Sequence, residues 1–156
     1  MTDFDAPANQ PKLRKLPLVA AIVAFAGLVD AVYLTIHHYT AEPVPCGLEF
    51  DCGVVLNSWW AEIGGVPLAA FGVLGYLTAL SLALFAGFKN GRLWSLFGVQ
   101  ASLMAAVSGY LIYVQYALIL AWCQYCLISA ATSFTLFLLF IISLFVGRPM
   151  PGRASL

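Results

Sequence analysis

A chain of 156 residues that is 62% hydrophobic and only 9% charged, with seven basic and seven acidic residues, carries no net charge. A soluble domain has roughly 25% charged residues, so this composition excludes an ordinary soluble enzyme. It also leaves no basic patch to receive a nucleic acid. What remains is a chain built for a lipid bilayer.

The first residues, 1–15 (MTDFDAPANQPKLRK), are polar and read as a disordered cytoplasmic tail. A hydrocarbon core about 30 Å thick requires roughly 20 apolar residues in a helix. Four runs qualify: Leu16 to Tyr39, Pro67 to Phe88, Leu93 to Leu118 and Trp122 to Val146. The expected fold class is all-α integral membrane: a four-transmembrane-helix bundle over residues 16–147, with a long external loop, 40–66, between helices 1 and 2. Residues 148–156 form a second cytoplasmic tail. A cleavable signal peptide competes for the first run, since KLRK precedes it and AFA precedes Gly27. The run continues to Ile36, past the length of a signal h-region.

Charge assigns the sides. Lys12, Arg14 and Lys15 precede the first run, Lys89 and Arg92 lie between the second and third, and Arg148 and Arg153 follow the fourth. The connection from Thr40 to Val66 holds Glu42, Glu49, Asp51 and Glu62 but no Lys or Arg, and neither does the one around Ile119 to Ala121. By the positive-inside rule, both termini are cytoplasmic and these two connections are external.

That places all four cysteines in one compartment outside the cytoplasm, where disulfides persist. Cys46 and Cys52 flank GLEFD in the long loop, while Cys123 and Cys126 open the fourth span in AWCQYC. At positions i and i+3 of a first helical turn, Cys123 and Cys126 share a face with Cβ atoms about 5 to 6 Å apart, near disulfide range. The positive end of a helix lowers a thiol's pKa. The loop pair, with prolines before it and Gly47 and Gly53 beside it, sits on bendable chain. A mobile dithiol next to a fixed one suits an electron relay, because exchange requires a thiolate to reach a disulfide sulfur. Inert staples and a four-cysteine zinc site are the competing readings, and no metal is expected.

CGLEFDC, Ser58 six residues beyond Cys52, GGVPLAAFGVLGY leading into the second span, and WCQYC opening the last together resemble the vitamin K epoxide reductase family in its bacterial disulfide-forming branch, from about Leu18 to Phe145. The other bacterial quinone-coupled disulfide generator has its CxxC in the first external loop, a different order. The resemblance implies a quinone-dependent thiol-disulfide oxidoreductase in the bacterial plasma membrane. On this reading Cys46 and Cys52 exchange with a thioredoxin-like extracytoplasmic protein, Cys123 exchanges with Cys52, and Cys126 lies against a quinone of the ubiquinone or menaquinone class. Many bacterial relatives carry a fused thioredoxin-like domain. This sequence ends at Leu156, so the expected partner is a separate protein.

Where animal members have a tyrosine and an asparagine that help hold the quinone, this chain has Ala130 and Leu68. Hydrogen bonds to the quinone are then expected from Tyr110, Tyr113, Gln115 or Ser129, with Ser58 as a polar neighbour of the cysteines. Tyr and Gln near a span end also serve as interfacial anchors. Asp30, Tyr33 and His37 fall on one face deep in the first span, where an acid is costly. They could deliver a proton, although a packed, neutral or hydrogen-bonded Asp30 is the favoured reading. The segment Val54 to Ile63, with Trp59 and Trp60, is expected to lie flat as an amphipathic cap, and Pro67 to begin the second helix. Small residues, Ala69, Gly72, Gly75 and Ala79 in the second span and Gly98, Ser102, Ala105 and Gly109 in the third, mark close helix packing. The alternative function is a membrane scaffold or transporter subunit with structural disulfides.

Overall fold

The computed structural model describes residues 11–88 and 91–146. Residues 1–10, Lys89 and the second expected tail, 148–156, lie outside them. Four long helices are present: α1 (Pro11–Thr40), α3 (Leu68–Phe88), α4 (Gly91–Val114) and α5 (Gln124–Val146), with a single short turn of helix, α2 (Cys52–Leu56), between the first two. Each long helix includes an apolar segment long enough to cross a membrane, beginning at Leu16, Leu68, Leu93 and Gln124. Such segments become helices because lipid offers no partner for a free backbone N–H or C=O, which must therefore be satisfied within the segment.

The helices form a closed ring in which α1 packs on α3 and α5, and α4 packs on α3 and α5. Small residues make this possible. Ala20, Ala24 and Ala31 of α1 are buried against Tyr76, Ala79 and Ala83 of α3 and Phe97 and Ala101 of α4, while Leu18, Ile22, Phe25, Val29, Val32 and Ile36 face outward. Large apolar side chains gain nothing by leaving lipid, so the small ones go inside, where they let backbones approach. Gly27 lies under the Tyr76 ring and Gly98 under that of Phe140, and a Cβ at either would overlap the ring. Ser102 is exposed and turns its hydroxyl back to the Gly98 carbonyl.

Residues 41–67 join α1 to α3 and differ from the expected single flat cap. After α2 the chain turns at Asn57 and Ser58, makes a 3-10 turn (Trp59–Ala61), and closes a hairpin of β1 (Glu62–Ile63) with β2 (Val66–Pro67). Gly64 and Gly65 occupy the turn with φ of 61° and 82°, the left-handed values that a two-residue hairpin turn requires. Pro67 is consequently a strand residue opposite Glu62, and the helix begins one residue later. The third span also departs from expectation. Its α-helix ends at Val114 and continues as a π-helical turn (Gln115–Ile119), closed by Leu120 at φ 56°.

Candidate active site

The extended segment after Leu120 delivers Cys123 to the start of α5. Sequence spacing placed Cys123 inside the first turn; the structure places it one step earlier, as the residue capping the helix. Its carbonyl accepts the Leu127 N–H at 3.0 Å, the first bond of the helix, and its Sγ accepts the Cys126 N–H at 3.3 Å. A side chain in this position takes up one of the otherwise unpaired donors of the first turn, and it sits where the helix's positive end is strongest. The Cys123 thiol is accordingly held below its ordinary pKa, chiefly by the hydrogen bond from the Cys126 side chain and further by the backbone N–H groups of Cys126 and Tyr125, against an opposing effect of burial. Its own N–H donates to Gln115 Oε1 at 2.9 Å. Gln115 is buried, and the π turn is the element that aims it inward. Such turns recur at functional sites.

The loop cysteines are docked on this segment. Phe50 N–H bonds the Gly47 carbonyl at 3.0 Å, closing a turn that brings Cys46 and Cys52 to a Cα separation of 6.1 Å, joined as a disulfide. Four hydrogen bonds hold the turn down. Asp51 N–H donates to the Trp122 carbonyl at 3.0 Å, Gly47 N–H to Gln124 Oε1 at 3.3 Å, Gln124 Nε2 to the Pro45 carbonyl at 3.5 Å and Tyr125 OH to the same carbonyl at 3.0 Å. The two residues inside CQYC therefore grip the chain on both sides of Cys46. As a result the four cysteines form one cluster: Cys52 and Cys123 are buried at its centre with Val55 and Ala121, and Cys46 and Cys126 pack around them. Cys46 and Cys126 keep partial exposure, and Cys123 and Cys126 are free thiols.

Cys126 opens onto a cleft of about 820 Å³ between α1, α3, α4 and α5. Val55, Leu56, Ser58 and Trp60 roof it, so the short elements after Cys52 do form a cap, though a broken one. Residues 18–141 match the sequence pattern of the vitamin K epoxide reductase family. The chain belongs to that family. It is also similar to thiol-disulfide oxidoreductase LTO1 of Arabidopsis thaliana, with 39% identity over 123 residues covering 72% of this chain and 32% of that protein. The chain thus spans about a third of the length of the curated relative it matches.

Of the side chains that the sequence suggested for this family member's quinone site, the structure brings Ser58, Gln115 and Ser129 to the cleft. Ser58 spends its hydroxyl proton on the Val55 carbonyl at 2.6 Å, and Gln115 is engaged by Cys123. Tyr110 and Tyr113 lie on the outer face of α4, 53% and 59% exposed, and do not line the cleft. Leu68 and Ala130 do line it. Sequence reasoning passed over Tyr76, 1% exposed in mid-span and on the cleft wall. A lone phenol within a run of apolar residues was the available signal. It passed over Gln124 and Tyr125 too, whose only mark was lying between two cysteines. Among the described residues, Asp30 Oδ2 is buried without a hydrogen-bond partner. Tyr33 stands between His37 and Tyr125, with ring centroids 4.4 and 5.3 Å away.

Proposed function

We propose that the chain is a membrane thiol:quinone oxidoreductase that makes disulfides outside the cytoplasm, taking electrons from a thioredoxin-like partner and passing them through Cys46–Cys52 and Cys123–Cys126 to a quinone. The observation that carries this reading is the single cysteine cluster with one partly exposed cysteine at each end, Cys46 in the loop and Cys126 lining the cleft. The distribution of basic residues supports cytoplasmic termini and a cluster outside, and the resemblance to the disulfide-forming branch supports a bacterial plasma membrane as its location. The name of the Arabidopsis relative, a thiol-disulfide oxidoreductase, agrees with the chemistry.

Burial supports the sequence of steps that the family resemblance implies. A partner thiolate attacks Cys46, the less buried cysteine of the loop disulfide, releasing Cys52; the partner's second thiol resolves the mixed disulfide and leaves oxidised. Cys52 next attacks Cys123 of an oxidised CxxC, and Cys46 resolves that link, regenerating the loop disulfide and a reduced CxxC. Both sulfurs of this internal step are buried, which keeps stray thiols out. The state described here, with a loop disulfide and a free CxxC pair, is the one poised to reduce the acceptor. The cleft fits a quinone head: its volume lies within the usual range for small-molecule sites, about 300 to 1,000 Å³, and its walls are largely apolar with a few polar groups. A quinone bound there supplies a two-electron, two-proton acceptor, of the ubiquinone or menaquinone class, beside Cys126.

Purified protein, a reduced thioredoxin-like protein and a quinone analogue whose absorbance reports reduction test the reading. Cys126→Ala abolishes quinone reduction even with dithiothreitol, whereas Cys46→Ala spares that direct reaction and blocks transfer from the protein partner. Equal loss in both assays for both variants refutes two distinct pairs.

A further inference from the structure

Below the CxxC motif α5 carries hydroxyl groups that the cysteine chemistry does not use. Ser129 and Ser133 follow Cys126 by three and seven positions, which puts the three side chains on one helix face, and all three line the cleft. Opposite them stands Tyr76 of α3. Its OH lies 2.6 Å from the Ser129 carbonyl, 3.0 Å from Ser129 Oγ, 2.6 Å from Thr132 Oγ1 and 3.0 Å from Ser133 Oγ. A phenol has one proton and two acceptor sites, so it cannot serve four partners at once, and its proton has several resting places. One is the Ser129 carbonyl, which already has a second donor in Thr132 Oγ1 at 2.7 Å. Tyr76 can therefore turn its proton into the cleft without stranding a buried acceptor, the event that would otherwise be costly. Polar groups at this depth in a bundle are expensive and mark function. The nearby wall is apolar at Leu68, Met104 and Ala130, and on α5 and α3 the hydroxyl cluster offers donors to a ligand carbonyl entering beside Cys126.

Resting on the quinone reading above, we propose that Tyr76 is the hydrogen-bond donor to a quinone carbonyl in this cleft and passes it a proton, with Ser129, Thr132 and Ser133 holding its hydroxyl in place. The balance closes without an outside reagent. Counted from two protonated thiols, joining Cys123 to Cys126 breaks two S–H bonds, forms one S–S bond and releases two electrons and two protons. Both electrons go to the quinone. One proton reaches a carbonyl oxygen from Tyr76 and the other goes to the second oxygen; the two protons released by the thiols balance both, and the product leaves as the quinol with Tyr76 reprotonated.

The test begins without turnover. In a Cys126→Ala chain, a quinone analogue with isotope-labelled carbonyls is bound and its infrared spectrum recorded. The expected result is a carbonyl stretch lowered relative to the analogue in lipid alone, a shift that Tyr76→Phe abolishes together with a loss of affinity of about 2- to 12-fold, one hydrogen bond's worth. In an otherwise unaltered chain, Tyr76→Phe lowers quinone turnover with dithiothreitol by about 100-fold, while exchange between the two cysteine pairs, followed by alkylation, keeps its rate. Absence of binding to the unsubstituted chain defeats the quinone reading itself. Binding with an unchanged carbonyl frequency in Tyr76→Phe, or equal loss of turnover and internal exchange, overturns the role of Tyr76 and leaves that reading standing. If Tyr76→Phe does not fold, Ser129→Ala and Thr132→Val decide: each weakens the carbonyl shift, and an unchanged shift in both overturns the proposal.

Discussion

Releasing the loop disulfide from its seat is the most direct perturbation of the proposed relay, and the double substitution Gln124→Ala with Tyr125→Phe does so while leaving every cysteine in place. It removes the bonds from Gly47 N–H to Gln124 Oε1, from Gln124 Nε2 to the Pro45 carbonyl and from Tyr125 OH to that carbonyl. The second, at 3.5 Å, is at the outer limit of a hydrogen bond and counts for little. The other two are solvent-accessible and contribute about 0.5 to 1 kcal/mol each, so docking weakens by about 1 to 2 kcal/mol, or roughly 5- to 30-fold. The Phe ring preserves the contact of Tyr125 with Tyr33. The Asp51 N–H, still facing the Trp122 carbonyl, is untouched and reports on opening. Hydrogen exchange measured by mass spectrometry on peptides spanning the loop is expected to quicken at Asp51 by about tenfold, with protection in α3 and α4 unchanged. Quinone reduction by dithiothreitol stays near the wild-type rate, and transfer from Cys52 to Cys123 slows in step with the opening. Unchanged protection at Asp51, or loosening spread evenly through the bundle, refutes the view that the CQYC side chains seat the loop.

Other outcomes follow from single contacts. A Cys46→Ala chain lacks the thiol that resolves the link between Cys52 and Cys123, so it accumulates that disulfide; proteolysis near Lys89 or Arg92 then yields two fragments that stay joined until reductant is added, and fragments that separate without reductant under alkylating conditions contradict this order. Gln115→Leu leaves the Cys123 N–H buried without its acceptor and destabilises the chain by about 1 to 3 kcal/mol, seen as a lower thermal midpoint. Gly27→Ala drives a methyl into the Tyr76 ring and costs about 1 to 3 kcal/mol; a neutral result means that α1 and α3 are further apart than described. With Cys46 and Cys52 replaced by Ser, the ultraviolet absorbance of thiolate is expected to appear below the ordinary thiol midpoint of about 8.5, because Cys123 is held down by the Cys126 side chain. Cys126→Ala removes that hydrogen bond and moves the Cys123 midpoint upward; a downward move contradicts the assignment.

The amino-acid sequence determined the local features of this protein. Runs of roughly 20 apolar residues have no stable form in lipid other than helix, so four helices were legible, and the spacing of Cys123 and Cys126 ensured that they would meet at one helix end. What it could not specify was which side of each helix faces inward. Lipid is as apolar as the side chains it touches, so these spans carry no hydrophobic period separating core from surface. Tyr110 and Tyr113 were therefore indistinguishable by composition from Tyr76, yet the first two lie on the outer face and the third is buried at the cleft. Likewise Gln115 read as a quinone contact or an interfacial anchor, whereas the π turn aims it at the Cys123 N–H. The burial of Cys52 against Cys123 depends on hydrogen bonds between residues nearly eighty positions apart, Gly47 to Gln124 and Pro45 to Tyr125. Pairings at that separation are chosen by how the helices assemble, because many side chains can bond a loop carbonyl and only the folded bundle decides which one reaches it.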